Sequence, residues 1–255
     1  MKLSIITVTF NSGATVSDTI ESVLKQEYSD YEYLVIDGGS KDNTVDIIKE
    51  YEPKFGGKMH WISEKDKGMY DGINKGIRIA TGDVVGIINS DDFYHRTDIF
   101  DIIAETFEEN KDIQAIYGDV RFVHSDNLDK TVRYYSCKHW RPWHFRFGFM
   151  PAHPTFFTYK ENFEKFGYYQ YDYHIAADYE LLIRHLYINK VPAKYVPVDF
   201  MKMRTGGRST NGWKANFLLN KEIVRACKEN GIYTNLPLLF LKYFVKVFEL
   251  INTKN

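Results

Sequence analysis

The chain has 255 residues, and its 33 Lys plus Arg against 34 Asp plus Glu give a net charge of −1, which excludes whole-chain electrostatic capture of nucleic acid. A hydrophobic fraction of 44% is enough for a buried core and excludes global disorder, while two cysteines, Cys137 and Cys227, exclude a disulfide framework or a cysteine-rich metal site. The opening residues read as a buried strand without the long apolar run or cleavage site of a signal peptide, so a cytoplasmic protein with reduced thiols is expected.

The first half alternates strand and helix signals. A strand is predicted over 3–8, followed by a helix whose apolar stripe runs Val16, Ile20, Val23, Leu24, with Thr15 and Asp18 as its start signal. A second strand covers 34–36 and ends at Asp37-Gly38-Gly39-Ser40; a second helix carries Val45, Ile48 and Tyr51. A third strand at 59–62, a helix over 71–79 and a fourth strand at 84–88 follow, the last uniformly apolar and so buried on both faces. A further helix is predicted over 97–107. This rhythm predicts an α/β fold with a mainly parallel twisted sheet and flanking helices, in which ligands bind at the carboxyl ends of strands.

The rhythm changes after Ile113. Shorter, partly antiparallel strands are predicted over 113–120, 121–124 and 130–135, then an aromatic-rich stretch over 134–173, a helix over 176–186, a Gly-rich loop over 205–212 and helical segments to the end. Residues 201–255 hold ten Lys or Arg against three Glu, a surplus of +7, which leaves −8 for residues 1–200. An acidic body with a basic tail suggests two surfaces with different partners.

Three strand or helix ends stand out chemically. In Asn89-Ser90-Asp91-Asp92, two carboxylates directly follow a buried strand, where they repel one another unless a cation or donors offset their charge. Oxygen ligands of this kind suit Mg²⁺ or Mn²⁺; the alternative is an Asp-rich turn with Asp92 starting a helix. Asp37 precedes two glycines and is able to accept hydrogen bonds from a ribose or base, or else to cap its own turn. Asp178 lies in the first turn of the helix over 176–186, where a carboxylate is electrostatically favoured; the alternative is a helix cap. His153 is a candidate cleft residue, Trp140 and Trp143 are the first choices for stacking on a sugar, and Arg204 and Arg208 give the 205–212 loop the composition of a lid that binds a diphosphate. Each of these has a structural alternative: a satisfied core His, core aromatics, a solvated linker.

Taken together and in order, these segments resemble the inverting glycosyltransferases of family 2, which have the GT-A fold. The matching phrases are Ser4-Ile5-Ile6-Thr7-Val8-Thr9-Phe10-Asn11, Ser22-Val23-Leu24-Lys25-Gln26, Val35-Ile36-Asp37-Gly38-Gly39-Ser40-Lys41-Asp42-Asn43-Thr44, Asp66-Lys67-Gly68-Met69-Tyr70-Asp71-Gly72-Ile73-Asn74-Lys75-Gly76, Ala80-Thr81-Gly82-Asp83, Asn89-Ser90-Asp91-Asp92 and Ala177-Asp178-Tyr179-Glu180-Leu181. The resemblance implies a GT-A domain over 1–211, with a nucleotide-sugar-binding half (1–112) and an acceptor and catalytic half (113–211), and a helical tail over 212–255. It implies a nucleoside-diphosphate-sugar donor held by Thr7, Val8, Thr9, Asn11, Asp37, Asp66, Asn89, Ser90 and Asp91. It also implies a divalent metal at Asp91 and Asp92, Asp178 as the base, and His153 with the aromatic region beside the acceptor. Three positions depart from the family pattern: Val8 stands where Pro is frequent, Gly38 where many members have a second Asp, and Asn89 where the metal motif usually begins with Asp.

The expected reaction is one in-line displacement with inversion at the anomeric carbon, the acceptor being a glycan or a lipid-linked sugar in surface polysaccharide assembly. Two rivals are a nucleotidyltransferase that forms sugar nucleotides and a non-catalytic sugar-nucleotide-binding scaffold. The first usually has a basic Gly-rich loop after strand one, whereas Asn11-Ser12-Gly13-Ala14-Thr15 has no basic residue. The mostly apolar run from Leu236 to Ile251 places Lys242, Lys246 and Glu249 on one helical face and is too short to span a membrane. Packing against the domain or a second subunit is expected for it, with peripheral contact at the inner face of the membrane as the alternative.

Overall fold

The computed structural model describes residues 1–206 and 213–243. One nine-stranded sheet runs through the described chain. Strands β1 (Leu3–Thr9), β2 (Tyr31–Asp37), β3 (Met59–Ser63) and β4 (Val84–Asn89) are mutually parallel and ordered β3-β2-β1-β4, so their carboxyl ends share one edge. Every residue of β1 and β2 is buried, because the helices α1 (Val16–Leu24), α2 (Thr44–Tyr51) and α3 (Met69–Ile79) connect these strands and cover the sheet. Thr15 does not cap α1; its hydroxyl donates instead to the Ser90 carbonyl at 2.8 Å, tying the first helix to the end of β4.

Beyond β4 the chain adds β5 (Phe93–Tyr94), α4 (Ile99–Glu109), β6 (Ala115–His124), β7 (Asn127–Tyr135), β8 (Phe157–Tyr159), α5 (Lys160–Phe166), α6 (Ala177–Leu182), β9 (Ala193–Arg204) and α7 (Trp213–Glu229). The strands predicted separately over 113–120 and 121–124 are one strand, β6, and β8, β9 and β5 have no counterpart in the periodicity. The helix predicted over 176–186 is two turns of α-helix continued by the wider π-helical segment Ile183–Ile188. Antiparallel β8 is wedged between β4 and β6 and joins the two halves of the sheet. Gly86 makes this possible: a Cβ there would lie 1.9 Å from Cε1 of Phe157, which is its register partner and fully buried.

One buried charge ties the strand ends opposite the site together. Glu32 on β2 accepts from Ser4 Oγ (2.6 Å), Thr81 Oγ1 (2.6 Å) and Lys2 Nζ (3.0 Å). Burial works to raise its pKa, but the bonds from Ser4, Thr81 and Lys2 outweigh it and bring the carboxyl down to about 2. A depressed acid stabilises the fold above its unfolded pKa of roughly 4.3, and that contribution fades as pH falls towards the folded value. Glu32→Gln is therefore expected to lose about 1–3 kcal/mol at neutral pH, the difference from wild type shrinking between about pH 4.3 and 2, as read by urea denaturation across that range.

The described part of the tail packs on the domain. In the helix over residues 236–243, Leu239 is buried against Gly148, and Lys242, placed with Lys246 and Glu249 on one helical face, is buried with Nζ donating to Asn220 of α7 at 2.7 Å. Lys246 and Glu249 lie outside the described residues. Among the described residues no helix is long and apolar enough to cross a membrane.

Candidate active site

The parallel strands deliver Thr9, Asp37, Ser63 and Asn89 to one rim, and the loops that follow are cross-braced there. Asn11 adopts a left-handed backbone (φ 50°), which Asn tolerates better than most residues. Its N–H donates to Ser40 Oγ at 2.7 Å and its side-chain oxygen accepts from Lys41 N at 2.8 Å, so the ends of β1 and β2 are latched. The Ser12 and Ser90 hydroxyls, 2.9 Å apart, join β1 to β4 in the same way. Phe10, between these latches, is 60% exposed, an aromatic face presented at a ligand-binding edge.

Several predicted donor-binding residues lie beneath this rim. Thr7 is buried, and its hydroxyl accepts from Tyr33 at 2.9 Å; the Val8 side chain packs in the core. Asp37 is fully buried and accepts from Gly39 N (3.1 Å), Ser40 N (3.0 Å), Ser63 Oγ (2.6 Å) and Ser40 Oγ. Those donors occupy its oxygens, so Asp37 braces the turn and is not the open acceptor for ribose or base that was expected. A half-buried carboxylate of this region is that of Asp66, which accepts from Gly68 N at 2.9 Å. It explains the departure at position 38: a Cβ on Gly38 would lie 2.7 Å from Asp66 Oδ2.

The two acids after β4 have different surroundings. Asp92 is 1% exposed; it accepts from Asn89 Nδ2 at 2.9 Å, and burial, followed by the neighbouring Asp91 charge, pushes it well above the usual carboxylate range. Asp92, expected as a metal ligand, is thus buried behind Asp91 and bonded to the Asn89 amide. Asp91 is half-buried, and burial raises its pKa as well. Because Asn89 commits its amide nitrogen to Asp92, its oxygen is the atom left for a ligand. Arg204 reaches this corner from the end of β9, donating to the Asp91 carbonyl (2.5 Å) and to the Asp18 carboxylate on α1. Arg208 lies outside the described residues.

Asp178 stands in the first turn of α6. Ala176, at the cap position, has no side-chain acceptor, so the helix start is served from elsewhere. The Tyr70 hydroxyl of α3 donates to the Ile175 carbonyl at 2.5 Å, just ahead of the helix. The Asp178 carboxylate takes the next amide, Tyr179 N, at 2.7 Å. Asp178 is thus not the helix cap. Burial pushes its carboxyl up to about 6, opposed by the Tyr179 and its own amide and by the Tyr70 hydroxyl, and assisted by the Glu222 charge. Tyr70 belongs to a segment quoted for its resemblance but not singled out as a site residue.

The predicted acceptor-side residues are mostly core. Trp140 is 7% exposed, donates to the Phe149 carbonyl and packs edge-on against Phe145, which in turn meets Tyr179 of α6. His153 is buried with Nε2 2.6 Å from the Tyr169 hydroxyl, and burial pushes the imidazole down to about 4, so it is neutral. Both are core residues, where apolar volume decided their place. Trp143 is 56% exposed.

A family model described as glycosyl transferase family 2 matches residues 4–171. The chain belongs to glycosyl transferase family 2. Its fold is GT-A: it superposes on the S. aureus TarS 1–349 chain in complex with UDP-GlcNAc with a TM-score of 0.66 at 18% identity, covering 88% of this chain and 67% of that one. It also superposes on the mannosyltransferase PcManGT from Pyrobaculum calidifontis in complex with GDP-Man and Mn²⁺, with a TM-score of 0.61 at 16% identity, covering 97% and 80%. The chain spans 65% of the length of a further S. aureus TarS 1–349 chain. Among family 2 relatives, a PGL/p-HBAD biosynthesis glycosyltransferase of Mycobacterium tuberculosis is 25% identical over 229 residues, 87% of this chain and 82% of the relative. An uncharacterized glycosyltransferase of the same species is 32% identical over 187 residues, 71% and 68% of the two chains. Asp178 lies beyond the matched segment, and the chain just before it is tied to that segment by the Tyr70 bond to the Ile175 carbonyl.

Proposed function

We propose that this family 2 member transfers a sugar, with inversion, from a nucleoside-diphosphate sugar to an acceptor hydroxyl, with Asp178 as the general base. The observation that carries the reading is the Asp178 carboxylate itself, held at the start of a helix with its pKa raised to about 6, where a base is ionised at neutral pH yet still basic. The acceptor hydroxyl gives its proton to Asp178 as its oxygen attacks the anomeric carbon, and the nucleoside diphosphate leaves from the opposite side. With a single base and no covalent intermediate, the configuration inverts.

The donor is read as lying over the rim, its base against Phe10 and Asp66 and its ribose and phosphates towards Thr9, Asn11, Asn89, Ser90 and Asp91. The single open carboxylate of Asp91, raised by burial, with neutral oxygens on Asn89 and Ser90, fits Mg²⁺ or Mn²⁺, which complete their shells with water and substrate phosphate. Bound there, the ion supplies neutralisation of charge on the leaving diphosphate. Arg204, already beside Asp91, adds a fixed positive charge at the same corner. A glycan or lipid-linked acceptor, surface polysaccharide assembly and a place on the cytoplasmic side of the membrane complete this reading.

A thermal-shift screen tests it. UDP-GlcNAc or GDP-Man with Mn²⁺ is expected to raise Tm, since binding the native state alone adds about 2.7 kcal/mol at a hundredfold excess over Kd. Asp91→Asn or excess EDTA is expected to remove most of that shift and the release of nucleoside diphosphate. An equal shift in EDTA would overturn the metal part, and no shift with any nucleotide sugar would overturn the donor.

A further inference from the structure

The C-terminal helix α7 lies wholly outside the segment matched to the family, yet it reaches the catalytic corner through one buried side chain. Glu222 is 6% exposed, and its carboxylate accepts three successive backbone amides: His174 N (2.8 Å), Ile175 N (2.8 Å) and Ala176 N (2.9 Å). These are the residues immediately before α6. With the Tyr70 hydroxyl donating to the Ile175 carbonyl, the stretch from 174 to 176 is held by two side chains from distant helices. The segment that presents Asp178 is therefore clamped between α3 and α7, without help from its own cap residue, Ala176.

We infer that Glu222 is a positioning residue: from α7 it fixes the backbone that presents the Asp178 carboxylate and adds a buried negative charge facing it. This rests on Asp178 being the base. A purely structural cap needs acceptor oxygens but not a charge, and a buried carboxylate whose partners among the described residues are neutral amides is costly beside another acid. The groups acting on Asp178 are Glu222 from α7 and Tyr70 from α3, with Tyr169 facing it from the loop before α6. Of these, Glu222 is the acid, and its charge adds to the larger effect of burial in raising the Asp178 carboxyl.

The test follows the Asp178 titration directly. The whole chain is labelled with ¹³C at aspartate carboxyls, and the Asp178 resonance is identified by its loss in Asp178→Asn. In Glu222→Gln its midpoint is expected to move below the wild-type value, and nucleoside-diphosphate release to fall on the order of 10²-fold through misplacement of the base. Glu229→Gln serves as the control: it removes the charge of another α7 carboxylate, the one that accepts from the Tyr173 hydroxyl, and is expected to leave the midpoint in place. An unmoved midpoint in Glu222→Gln, with or without lost turnover, overturns the inference. Hydrogen exchange of the wild-type protein needs no variant to fold: amides 174–176 exchanging as fast as open loops would overturn it too. Full turnover in Asp178→Asn would instead refute the base assignment, while the titration arm still reads the hold of Glu222 on Asp178.

Discussion

Asp178→Asn is expected to lower turnover by roughly 10²–10⁴-fold while leaving the protein at least as stable as wild type at neutral pH. Under the proposed mechanism, the loss follows from removing the group that takes the acceptor proton. The stability gain follows from the same environment that makes it a base. Its folded pKa, about 6, lies above the ordinary value of 3.8, so the native state favours the protonated form. Below about pH 4 both states hold it neutral and no penalty exists; as pH rises through 6 the native state carries an ionised group it disfavours. Asn keeps the oxygen that accepts Tyr179 N and never ionises, so above that window it returns on the order of 1–2 kcal/mol. Circular-dichroism melts alongside donor turnover check both halves; near-native turnover would refute the assignment. The wild-type kcat/KM is expected to fall on the acid side with a midpoint near the Asp178 value of about 6.

Gly86→Ala is expected to destabilise the fold by about 3 kcal/mol, the upper end of overpacking costs, and to lower Tm by about 6–12 °C. The added methyl would sit 1.9 Å from Phe157 Cε1, inside a ring that is fully buried and flanked by Phe200. Neither strand can retreat without breaking the β4–β8–β6 pairing. Gly86→Ala combined with Phe157→Leu is expected to recover part of the loss, because the partner of the clash has been shortened. If urea denaturation finds Gly86→Ala unchanged, β8 does not dock on β4 as described.

The fold was legible where burial is continuous. The strands β1, β2 and β4 announce themselves as apolar runs, and alternating helices order them into one parallel edge. The strand β9 was not legible: its polar alternation and Pro197 sit at a register shift opposite Tyr117 and Asp119. A strand as short as β8 leaves no periodicity at all. The rim of the site followed from the strand-end rule, but the role of each side chain did not. Residue type marks Asp37 and Asp92 as acids; only their neighbours in space show that serine hydroxyls and an amide already occupy them. Trp140 and His153 had the composition of ligand contacts and the volume of core residues, and volume prevailed. Glu222 had no local signal, since its partners are backbone amides far away along the chain.

The antiparallel wedge of β8 also sets the order in which the molecule can be finished. During synthesis the first four strands emerge with the β4 side uncovered, and that flank is a bare row of amides and carbonyls along an apolar ribbon. It stays open until Phe157–Tyr159 leaves the ribosome and closes it. A chain arrested before that point would present a sticky template to its neighbours, so the interval between these two strands is when the nascent protein most needs a chaperone.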